Sequence, residues 1–231
     1  MQLRITWKYV AAFIALHFIM GELHEQAHIS TGYFICGCYG PRDFNVWSTC
    51  EQCANPAWAF LATLAGPLFS CSLMWLGASW FSRSLNENKR MIGFSLLFAN
   101  LPFARIFTAL VGGGDEKVVV QALLGDTGNS LSSKIIAASV VLLVCLPPIL
   151  MVGKKILNRH RWGIVAGFSI IPLLYAMLYQ RLFLNWLLQK KVLPEVHIAG
   201  TPDIILYHFG IMLIILVFFR QGLIELKKNT R

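Results

Sequence analysis

Charge is scarce in this sequence. Only 13% of its 231 residues are Asp, Glu, Lys or Arg, about half the share of roughly 25% typical of soluble domains, which excludes an ordinary water-soluble fold. Acidic residues are the scarcer sign, 11 against 20 basic ones, for a formal charge of +9. That excess does not point to nucleic acid, because the basic residues sit in short clusters between apolar runs instead of forming one patch. Internal repeats and low-complexity linkers are missing, which excludes a solenoid or a string of modules and leaves a single domain over residues 1–231. No small-residue cleavage site follows a short apolar core, so Arg4 and Lys8 read as the flank of a first span and not as part of a signal peptide.

What is abundant is apolar: 56% of the residues are hydrophobic and the mean hydropathy is +0.61. This composition predicts an all-α fold, a polytopic bundle of membrane helices. Six runs approach the length that a hydrocarbon core of about 30 Å requires, at 9–31, 56–81, 91–112, 134–152, 162–188 and 202–219. Basic residues flank them in a pattern. Arg4 and Lys8, then Arg83, Lys89 and Arg90, then Lys154, Lys155, Arg159 and Arg161, and finally Arg220, Lys227, Lys228 and Arg231 fall on one side of an even-numbered bundle. The positive-inside rule assigns that side and both termini to the cytoplasm. The expected setting is the cell (inner) membrane, with the lipid bilayer as partner and no nucleic acid.

Inside the first run stands His24-Glu25-Gln26-Ala27-His28, an HExxH sequence. At helical spacing His24 and His28 lie one turn apart on one face, so both imidazoles can reach one tetrahedral metal while Glu25 points beside it. His17 and Gly21 extend the same stripe inward. A histidine on an apolar face is more often a hydrogen-bonded core residue than a ligand. Three ionisable side chains within five positions of a membrane run, however, are costly enough to mark function, and a metal gives each imidazole a lone-pair partner that lipid lacks. At about 1.5 Å per residue the motif lies about 24 Å from Lys8, toward the outer leaflet.

Further polar residues collect on that outer side. Asn100 and Arg105 are deep in the third run, broken between them by Pro102, and Glu22 is a plausible counter-charge for the arginine. Gly112-Gly113-Gly114 then leads to Asp115 and Glu116, of which Asp115 is the first candidate for a third metal ligand. Glu116, His197 and His208 are the alternatives. The segment 117–133, with turn residues Gly125, Asp126, Gly128 and Asn129, is placed to cover the site. The metal-site core is expected over about 9–116, with additional helices over 134–219.

Four of the six cysteines, Cys36, Cys38, Cys50 and Cys53, crowd into the first outer loop. In an oxidising compartment they form two disulfides, with three connectivities open; the competing use is a structural zinc held by four thiolates. Cys71 and Cys145 lie within spans and read as buried thiols.

These residues resemble the membrane-embedded zinc metalloproteases of the site-2 protease type, which carry HExxH on a transmembrane helix. Ala65-Gly66-Pro67 is similar to the Gly-Pro segment of that family's following helix, and Asn100 with Pro102 looks like the opening of its third conserved feature. The family's Asp-Gly ligand has no close counterpart after Pro102; Asp115 lies further along than its pattern. The resemblance covers about 16–116. It implies one Zn2+ on His24, His28 and a third ligand, Glu25 as general base, Asn100 binding the substrate backbone or the oxyanion, and a peptide or membrane-protein substrate. Two other classes compete: a divalent-cation transporter, and a metal-dependent hydrolase of a lipid or small amphiphile. Six histidines without repeated clusters argue against a di-iron oxidase.

Overall fold

The computed structural model describes residues 1–126 and 130–224. It is a helical bundle with almost no sheet. Helix α1 spans Trp7–Cys36, opened by Thr6, whose side chain accepts from the Tyr9 amide, and closed by left-handed Gly37. Helices α2 (Ala59–Arg83) and α3 (Glu87–Ala99) follow, joined by a tight turn that Asn86 caps. They pack backbone to backbone, since a methyl group on Gly77 would stand 2.6 Å from the Gly93 carbonyl oxygen; small residues allow this approach between membrane helices. After α4 (Pro102–Leu110), α5 (Asp115–Leu124), α6 (Leu131–Lys155) and α7 (Arg161–Tyr175), a π-helical stretch Ala176–Leu184 leads into the short α8 (Asn185–Gln189). A small hairpin, β1 (Val196–Ile198) with β2 (Thr201–Pro202), precedes α9 (Asp203–Phe219).

Among the described residues five helical segments are long and apolar enough to cross a membrane: Pro56–Arg83, Glu87–Leu110, Leu131–Lys155, Arg161–Gln189 and Asp203–Leu223. Leu143, Val217 and Phe218 project from their outer faces, as lipid-facing side chains do. Of the six runs expected, the first is the one outside this set. Its helix is the longest, at 30 residues, but His17, Glu22, Glu25 and His28 interrupt its apolar character. Protein covers those side chains: all four are buried, and α1 packs against α2, α3 and α9. The third run is also divided. Asn100 ends α3, Leu101 adopts a left-handed φ of 51°, and Pro102 restarts the helix as α4. Pro67, by contrast, lies within an unbroken α2.

The main core is aromatic. Tyr9, Phe13, Phe81, Phe94 and Phe98 pack with Phe168 of α7, and the buried Tyr9 hydroxyl lies 2.9 Å from Ser95 Oγ. Below this core one end of the bundle gathers the basic turns. The Met1 amine donates to the Lys155 carbonyl, the Leu3 amide to Asn158 Oδ1, and Lys155 Nζ to the Ser82 carbonyl; Gly222 sits against Lys8. Lys227, Lys228 and Arg231, like Gly128 and Asn129, lie outside the described residues.

Candidate metal centre

The motif occupies the far end of α1. His24 Nε2 and His28 Nε2 are 3.0 Å apart, and Asp115 Oδ2 is 3.5 Å from each. Asp115 reaches them from the first turn of α5, where an acidic side chain also suits the helix dipole. Zinc ligands at about 2.0–2.1 Å in tetrahedral array lie about 3.3 Å from one another, so all three separations fit one ion.

The second layer decides which ring atoms face inward. His28 Nδ1 lies 2.8 Å from the Ala62 carbonyl of α2, which can only accept, so this ring carries its proton there and turns a lone pair toward His24 and Asp115. His24 Nδ1 has two neighbours, Ser70 Oγ at 3.0 Å and Arg105 Nη2 at 2.8 Å. The guanidinium can only donate. Donation from Arg105 therefore puts the His24 proton on Nε2, whereas donation to Ser70 frees Nε2 as a ligand. A bound metal would select the Ser70 partnership, the kind of outer support that orients ligating histidines. Three acceptors then converge on one point, an arrangement that a cation stabilises.

Gly66 makes this geometry possible. A methyl group there would lie 2.6 Å from Cε1 of both His24 and His28. On the other side Trp47 stacks on His28, with centroids 5.2 Å apart and planes 21° from parallel. Glu25 is buried beside the histidines, and its Oε2 has no hydrogen-bond partner among the described residues. It lines two cavities. An inner one of about 260 Å³ runs down to His17 and Asn100, and an outer one of about 680 Å³ is bounded by Trp47, Asp115 and Val118.

The chain matches no family model, no curated protein and no solved structure.

Several expectations need correction. Arg105 does not pair with Glu22; its Nη1 is 2.8 Å from Glu116 Oε1, which takes Glu116 out of the ligand set. Glu22 instead receives both Nη1 and Nη2 of Arg42, at 2.8 and 2.9 Å. His197 is exposed and pairs with Asp203 at 2.9 Å. His208 packs among Phe18, Phe44 and Tyr179, so neither histidine joins the centre. Asn100 does line the inner cavity, but its Nδ2 is used on the Leu96 carbonyl at 2.8 Å.

The cysteines form two nested disulfides, Cys36–Cys53 and Cys38–Cys50, which excludes a four-thiolate zinc. Their loop, more than the segment after Lys117, roofs the centre. Phe44 anchors it, its amide donating to Asn185 Oδ1 and its carbonyl accepting from Gln180 Nε2. Arg42, Trp47 and Ser70 are thus site residues that sequence reasoning missed.

Proposed function

We propose that this chain is a membrane-embedded zinc metallopeptidase of the site-2 protease kind, hydrolysing peptide bonds of membrane-associated substrates near the outer face of the cell membrane. One observation carries the reading: Asp115 comes from a distant helix to within 3.5 Å of both motif histidines, beside a buried glutamate with an oxygen to spare. A set of two nitrogens and one oxygen leaves a tetrahedral position open, as catalytic zinc sites do. When bound, zinc supplies Lewis acidity and lowers the pKa of a water to about 7. Glu25 takes the proton of the attacking water at Oε2 and delivers it to the leaving amine. Arg105, on the wall of both cavities, offers N–H donors to the developing oxyanion in place of Asn100.

The topology in this reading counts α1 with the five apolar helices, giving six spans. Basic turns gathered at one end support a cytoplasmic assignment for that end, and disulfides at the other fit an oxidising compartment. Among the described residues the one group of metal-capable side chains is His24, His28 and Asp115. Its position at a single end of the bundle favours hydrolysis over cation transport.

The test is Glu25→Gln, which keeps the shape of the side chain and removes its basicity. The variant is expected to keep zinc, while hydrolysis falls about 10²- to 10⁴-fold, the range typical of lost acid-base catalysis. Substrates should then accumulate in the membrane proteome of cells carrying it. Loss of metal with unchanged turnover per bound zinc would make Glu25 a ligand and revive the carrier reading.

A further inference from the structure

A third cavity lies away from the metal centre, on the flank of the bundle between α1 and α7. Its volume is about 330 Å³. The floor is the edge-to-face pair of Phe13 and Phe168, with ring centroids 4.9 Å apart, and the walls are Val10 and Ile14 of α1 with Gly167 and Ile171 of α7. Ile5, Val10 and Ile171 are exposed, so the space opens outward, to lipid in a bundle that spans a membrane. Tyr175 closes the far end, its ring 5.2 Å from that of His17. Gly167 keeps the space clear: a methyl group there would meet nothing nearer than Ile171 Cδ1 at 3.9 Å.

Length and charge identify the occupant. Along α7 the lining runs from Ile164 to Tyr175, about 16 Å at about 1.5 Å per residue, which matches the roughly 15 Å that one leaflet contributes to a hydrocarbon core. The other end lies at the basic turns. Arg161 stands one turn before Ile164, on the stripe that continues through Phe168 and Pro172. Leu3 is held to Asn158 by hydrogen bonds of 2.7 and 3.0 Å, which brings the adjoining Arg4 to the turn that carries Arg159. Arg4, Arg159 and Arg161 are exposed, and among the described residues none of them forms an ion pair; Arg161 reaches only the Lys154 carbonyl, at 3.5 Å. An apolar slot one leaflet long with cations at its mouth complements an acyl chain beneath an anionic headgroup. A transmembrane helix about 10 Å across would displace about 1,000 Å³ over this length and does not fit. We propose that the cavity between α1 and α7 binds one anionic glycerophospholipid, with an acyl chain along Phe13, Gly167 and Phe168 and its phosphate on Arg4 and Arg161. The site is independent of the metal centre.

Photolabelling tests it on the whole protein. The wild type in phosphatidylcholine nanodiscs receives a trace of phosphatidylglycerol with a diazirine on one acyl chain, is irradiated, and the labelled residues are mapped by mass spectrometry. Label is expected on Val10, Ile14, Gly167 and Ile171. The same chain carried by phosphatidylcholine should label them about 30-fold less, the equivalent of roughly 1 kcal/mol for each of two arginines. Arg4→Gln/Arg161→Gln should bring the two tracers level. Gly167→Phe, which fills the cavity, should remove the label from Val10 and Ile14. Equal labelling by the two tracers in the wild type, or label spread evenly over the outward faces of α6 and α9, would overturn the proposal. So would displacement of the label by glycerol phosphate, which has no chain to place in the cavity. These wild-type outcomes decide the matter even where a variant does not fold.

Discussion

At the scale of single residues, the centre depends on one missing side chain. Gly66 is the point where α2 meets both imidazoles, and the 2.6 Å approach of a methyl group there to each Cε1 cannot be relieved by rotating a flexible side chain, since both rings are held at Nδ1. Gly66→Ala is therefore expected to weaken zinc about 10- to 100-fold, the range typical of disturbed outer support, as measured by competition with a chromogenic chelator. Unchanged affinity would show that the rings do not sit where Ala62 and Ser70 hold them. The histidines and Glu25 were legible because their relation is local: four residues on a helix fix one face. Asp115 was legible only as a candidate, since a loop and a helix of unknown path separate it from the motif. Asn100 was legible in depth but not in its contacts. The sequence shows that a carboxamide is deep in the bundle, but not that its donor end turns back to Leu96 to close α3.

At the scale of elements, the loop between α1 and α2 is the part the sequence left most open. Four cysteines permit three pairings, and the nested one follows from how the chain turns back after Gly37: Ser48 hydrogen-bonds Pro41 and Ala54 hydrogen-bonds Cys36. All four thiols are expected to resist alkylation until a reductant is added, as mass spectrometry of the intact protein would record. Immediate labelling of any of them in the native protein contradicts the pairing. The same loop is held down by Arg42, whose guanidinium is fully enclosed against Glu22, with Gln26 and Thr201 completing the network. Removing one partner of a buried pair leaves a charge uncompensated, typically at a loss of about 3–5 kcal/mol. Arg42→Ala should lower stability by that amount in a denaturant titration. A loss below about 1 kcal/mol would mean that water reaches Glu22. The signal for this pair was present in the sequence, since Glu22 inside an apolar run needs a counter-charge, but Arg105 was the nearer guess in depth and Arg42 the true neighbour in space.

At the scale of the whole molecule, apolar run lengths located nearly every helix, because a bilayer constrains length more sharply than water does. The break before α4 was legible from Pro102, but the π-helical stretch that brings Gln180 and Asn185 to the loop and the small hairpin before α9 were not, since both depend on contacts made only after the helices assemble. Run lengths counted the first run with the others, whereas the polar face of α1, sheltered by protein, leaves it outside the five segments apolar enough to cross a membrane. The sheltered face of α1 is packed by α2, α3 and α9 and covered by the disulfide-bonded loop, and it carries two residues of the proposed metal centre. Elemental analysis of the protein purified in detergent, with the metal counted per chain, tests this most directly. One zinc per chain is expected in the wild type and in Glu25→Gln, and none in the His24→Ala/His28→Ala double variant or, after dialysis against a weak chelator, in Asp115→Ala. Stoichiometric zinc retained by the double variant, or no zinc in the wild type, would contradict a metal centre built from His24, His28 and Asp115.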